Sequence, residues 1–172
     1  MKETLELMAR YNKVVNEELY AILQKQDDEL LTADAHSYSA NILGILNHIL
    51  VSDLGWLSAY RGSNLDLPAL ESKALEYEHP GFGKNLYSAL EPLKTHRRQI
   101  DQVFIDLVDS TSSEVLEGTI DLKRKDRVHT FPFGKILLHL FNHQTHHRGA
   151  ISQILDEHGV KNDYSNLLQL LM

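Results

Sequence analysis

The sequence predicts an all-α fold, an antiparallel four-helix bundle with a small hairpin before the fourth helix and a short C-terminal helix. Three observations lead there. Apolar residues recur with the helical period over most of the chain, in four stretches of about 23 to 28 residues. Alternating patterning is confined to one short segment. The chain has 172 residues, 42% apolar and 24% charged, which suits a single domain spanning 1–172 with its own core.

The first helix is expected over residues 3–26, with Leu5, Met8, Val15, Leu19 and Ile22 on one face. Asn12 interrupts that face and is expected to make an interhelical hydrogen bond. Asp27-Asp28 breaks the pattern and a loop follows through Thr32-Ala33-Asp34. The second helix is expected over 37–61, carrying Ile42, Ile45, Leu46, Ile49, Trp56 and Tyr60, and Gly62-Ser63-Asn64 stops it. A loose connection, 65–83, contains Pro68 and the turn set His79-Pro80-Gly81 and is long for a compact domain.

The third helix is expected over 84–108, through Leu90, Leu93, Ile100, Val103, Phe104 and Leu107. Pro92 either kinks it or marks its true first turn. Thr119-Ile120-Asp121-Leu122 and Arg127-Val128-His129-Thr130 flank a charged turn and predict the hairpin. The fourth helix begins near Pro132 and stops at Gly159, and residues 163–170 form the final short helix.

Composition excludes several classes of function. A formal charge of -7 with no basic stripe argues against a nucleic-acid partner. No run approaches the roughly 18 apolar residues of a membrane span. Met1-Lys2-Glu3-Thr4 does not open a signal peptide, so a cytoplasmic location is expected. The absence of cysteine excludes disulfides, thiolate catalysis, zinc ribbons and iron–sulfur clusters. Any metal site must use nitrogen and oxygen ligands. Against that stand ten histidines, five of them between His129 and His147.

With Ile136 set at zero and about 100° per residue, His143 falls near 340° and His147 near 20°. This phase puts both at the centre of the apolar stripe, one turn apart and pointing into the bundle. Two buried imidazoles need partners for four ring nitrogens, and a divalent cation bound to neutral rings supplies one solution. Buried hydrogen-bond acceptors supply the other. His139 and His146 fall on the flank of the stripe, near 300° and 280°. On the second helix, His48 lies outside the main apolar arc beside Asn41, Gly44, Ser52, Gly55 and Ala59, which reads as a half-exposed histidine in close packing or a cavity wall. Asp53 sits on the buried arc, as an interhelical hydrogen-bonding group or an acceptor for a ligand imidazole. Arg148, at about 120° on the stripe's edge, reads as a structural contact or, alternatively, a substrate carboxylate clamp.

Three segments resemble the DinB family of metal-binding four-helix bundles. Tyr11-Asn12-Lys13-Val14-Val15-Asn16 is similar to the family's first-helix segment, and Leu46-Asn47-His48-Ile49 with Asp53 and Trp56 to its second-helix motif. Asn142-His143-Gln144-Thr145-His146-His147-Arg148-Gly149 matches the NHxxHHRG signature, with Ala150 where many relatives carry glutamine. The resemblance implies a divalent transition metal (Zn, Ni, Fe or Mn) on His48, His143 and His147, and a homodimer. It also implies chemistry of the hydrolase or thiol S-transferase type, on a small-molecule substrate with or without a thiol co-substrate.

Three neutral imidazoles leave an open position on the ion, which can acidify a water or bind a thiolate. The competing expectation is a non-catalytic, metal-bound bundle that binds a ligand or partner under stress. Leu7, Val14, Leu43 and Leu54 lie off the centres of their apolar arcs, which also points to a homodimer through helix faces.

Overall fold

The computed structural model describes residues 1–35, 39–81 and 83–171. Four long helices dominate it: α1 (Lys2–Leu23), α3 (Ile42–Arg61), α4 (Leu90–Ser110) and α6 (Phe133–Glu157). Two single-turn helices, α2 (Asp28–Thr32) and α5 (Ser113–Glu117), and a two-stranded hairpin, β1 (Thr119–Arg124) with β2 (Arg127–Pro132), connect them. The four-helix bundle expected from the apolar period is present. α1 packs on α4 and α6, and α3 packs on the same two helices.

Cross-helix contacts fix the directions. Lys2 Nζ donates to the carbonyls of Asp109 and Thr111, while Gln24 Nε2 donates to Glu91, so α1 and α4 are antiparallel. His48 meets His143 while Tyr60 packs on Phe133, so α3 and α6 are antiparallel. Asn47 contacts Tyr87 and Asp53 contacts Arg97, so α3 and α4 run the same way. The long connection accounts for this: it returns the chain to the end at which α3 began. It holds two 3-10 turns, Pro68–Glu71 and Lys73–Leu75, that bury Leu70 and Leu75 against the bundle.

Several boundaries move for local reasons. α1 ends at Leu23, and Asp27 then caps α2 by accepting from Leu30 N at 2.9 Å, so a capped helical turn replaces the expected loop. α3 starts at Ile42 because Asn41 caps it, accepting from Gly44 N at 2.8 Å; the expected start, Ser37, lies outside the described residues. A Cβ on Gly44 would collide with the carbonyl oxygen of Ser39, so the chain's entry into α3 requires glycine there. α4 begins at Leu90, which puts Pro92 in its first turn, the second of the two expected outcomes. α6 ends before Gly159, whose φ of 69° stops the helix. The expected last helix is only a 3-10 turn, Leu167–Leu170.

The core draws on all four long helices, with Leu19, Leu54, Leu57, Tyr60, Leu107, Leu137, Phe141 and Leu155 fully buried. Leu43 and Leu54 lie inside the chain's own core, while Leu7 and Val14 are half-buried. Leu43 and Leu54 therefore offer no surface to a second copy. α3 is the one described helix long and apolar enough, by length and composition, to cross a membrane, and most of it is buried in the bundle.

Candidate metal centre

α6 presents two neighbouring i, i+4 rows, and the structure reverses the roles expected of them. The centre of its buried face belongs to Leu137, Leu140, Phe141, Gln144, Arg148, Ile151 and Leu155. Gln144 is 0% exposed and Arg148 3%, whereas His143 and His147 are half-buried at the edge of that face. Counting only apolar residues misplaced the centre, because two of its positions are polar. His139 and His146, expected on the flank, are exposed.

His48 is also half-buried, on the facing edge of α3. His143 Nε2 lies 3.3 Å from His48 Nε2 and 3.0 Å from His147 Nε2. One ligand nitrogen from each of the three rings falls within 4.8 Å of the other two. Ligands about 2.0–2.1 Å from one ion sit about 2.9 Å apart at a right angle and about 3.3 Å apart at the tetrahedral angle, so the observed spacings match a shared ion.

Hydrogen bonding alone accounts poorly for this group. An imidazole nitrogen carries either one hydrogen or one lone pair, so His143 Nε2 cannot bond to both neighbours at once. Protonation is opposed as well. Burial, with the neighbouring rings of His147, His48, His139 and His146, holds His143 down to about 4. Burial, with His48 and His146, holds His147 down to about 4 too. Burial lowers His48 in the same direction. Near neutral pH the three rings are uncharged and offer lone pairs, the form a divalent cation binds.

Behind the histidines lies a buried polar network. Gln144 Nε2 donates to Asp53 Oδ2 at 3.0 Å, and Arg97 Nη1 donates to the same oxygen at 2.6 Å. Arg97 Nη2 is 2.9 Å from Asp101 Oδ1. Asn16 Nδ2 donates to Asp101 and to Gln144 Oε1. Arg148 Nη1 donates to Asn12 Oδ1 at 2.6 Å, and to Asn16 and Gln144. Two carboxylates thus face two guanidiniums with no net excess. Burial outweighs the pull of Arg97 and leaves Asp53 raised to about 6.

Asn12 therefore makes the interhelical hydrogen bond expected of it. Asp53 serves as an interhelical acceptor, and it accepts from Arg97 and Gln144. Arg148 is structural, with its guanidinium occupied by α1 and by Gln144 and Thr145 of its own helix. Sequence reasoning passed over Arg97, Asp101, Asn16 and Gln144. The available signal was phase: Arg97 and Asp101 fall on the same face of α4 as Leu93, Ile100 and Phe104.

The DinB family model matches residues 1–171. The chain belongs to the DinB family. Protein DinB of Bacillus subtilis (strain 168) is 27% identical over 158 residues, covering 87% of this chain and 83% of that protein. The three histidines that meet here are those to which the DinB resemblance assigned a metal, and His139 and His146 stay outside the group.

Proposed function

We propose that this DinB-family chain binds one divalent transition metal through His48, His143 and His147 and uses it as an enzyme of the hydrolase or thiol S-transferase type. The observation that carries the reading is the convergence of three neutral imidazoles on one point. A half-exposed three-nitrogen site keeps a face toward solvent, as catalytic sites do and closed structural sites do not. When bound there, an ion supplies Lewis-acid activation of a water or a thiolate. The protein supplies the rest. His48 from α3 and the His143/His147 pair from α6 hold the donor set across two antiparallel helices. The buried network behind them keeps water from the rear of the site. A small-molecule substrate, a thiol co-substrate and a homodimer belong to the same proposal.

One observation favours a non-catalytic alternative, a metal-bound bundle that serves as a ligand- or partner-binding module. A groove of about 510 Å³, lined by Lys73, Tyr87, Glu91 and His96 among others, shares no residue with the histidine group. Elemental analysis of purified protein, followed by thiol-conjugation and hydrolysis assays on the loaded protein, separates the two. One equivalent of metal with turnover supports the enzyme; one equivalent without turnover supports the module.

A further inference from the structure

We propose that Gln144, acting through Asp53, is a positioning residue that sets the geometry of the three histidines. The proposal rests on the metal-site reading above. Gln144 follows His143 directly and is fully buried, and Asp53 lies on α3, the helix that carries His48. Their 3.0 Å hydrogen bond is therefore a strut between the two helices that supply all three ligands. Both ends are held. Arg97 braces Asp53 from α4, and Asn16 braces the Gln144 carbonyl from α1.

Such a strut matters because, among the described residues, the usual device is not found at one ligand. A metal-binding histidine commonly donates its second ring nitrogen to an acceptor that fixes the ring. His143 Nδ1 is buried and has no hydrogen-bond partner among the described residues. Its ring must be placed by packing and by the rotation of α6 itself. With side chains, a helix has a radius of about 5–6 Å, so turning it by about 20° moves a surface atom by about 2 Å. Metal–ligand distances tolerate only about 0.2 Å. Close-packed side chains resist part of such a turn, but the hydrophobic effect behind them is itself non-directional. A buried hydrogen bond, whose geometry is narrow, resists it strongly.

The test is Co2+ titration of full-length protein, followed by the visible bands of the bound ion, with circular dichroism of the metal-free form. Gln144→Met keeps the length of the side chain and removes the strut. Its Co2+ affinity is expected to fall by about tenfold or more, the scale of lost outer-shell support. Ile100→Val, which loosens the core on α4, should leave the affinity unchanged. Gln144→Asn, a methylene too short to reach Asp53, serves if Gln144→Met does not fold. Wild-type affinity in the Gln144 single variants, or an equal loss in Ile100→Val, overturns the strut. No Co2+ binding by the wild type overturns the metal site itself, and the strut with it.

Discussion

Two rows of α6, one residue apart, share the i, i+4 spacing and do opposite work. His143 and His147 lie at the edge of the bundle, half-exposed and neutral, with nitrogens aimed at one another and at His48. Gln144 and Arg148 lie about 100° around the helix, buried and already paired with α1 and, through Asp53, α3. Spacing alone does not distinguish them. Depth does. A half-exposed imidazole can lose its charge and wait for a cation, whereas a buried guanidinium must be matched permanently, because no water replaces a missing partner.

The sharpest break in the comparison comes from the inner row's support. Arg97 lies between Asp53 and Asp101, and Arg97→Met leaves two buried carboxylates without it. Denaturant unfolding should show a loss of about 3–5 kcal/mol, the cost of stripping one partner from a buried ion pair. A loss below about 1 kcal/mol would show that water reaches the network.

Metal removal comes next, and it should act only through the outer row. An ion that binds the native state alone stabilises it by about 2.7 kcal/mol at one hundred times its dissociation constant. Chelation should therefore lower the melting temperature of the wild type but leave His147→Ala unmoved. Without metal, His147→Ala should unfold within about 1 kcal/mol of the wild type, since it removes a half-exposed ring rather than a buried charge. Equal chelator sensitivity in both proteins would contradict the division between the rows.

The third expected effect is on pH dependence. His143 and His147 titrate at about 4 in the folded chain and near their ordinary 6.5 when unfolded. Between those values the unfolded state binds more protons, so metal-free stability falls as pH drops from 6.5 toward 4. The variant lacking both rings should lose that part of the slope. An unchanged slope would place the rings in water.

The same contrast explains how much the sequence revealed. The helices, the hairpin and the stop at Gly159 follow from local patterning and turn chemistry, which act over a few residues. The His143/His147 pair was visible from spacing and signature, yet its depth was misplaced. Apolar counting centred the stripe on Ile136 and Ile154, whereas the buried face turns toward Leu137, Gln144 and Leu155. That shift required knowing that Gln144 and Arg148 find partners on α1 and α3, a tertiary fact. Periodicity leaves His48 off its apolar arc, the DinB resemblance assigns it to the site, and the meeting of α3 with α6 brings it to the pair. The α2 and α5 turns escaped because a cap on one short turn leaves no periodic signature.

The central claim is that three histidines from two helices hold one ion, and metal stoichiometry across single substitutions tests it most directly. Elemental analysis with a competing chelator should find one ion per wild-type chain. His48→Ala, His143→Ala and His147→Ala should each lose it, while His139→Ala and His146→Ala keep it. A metal-free wild type, or metal retained by His147→Ala and lost by His146→Ala, would contradict the account.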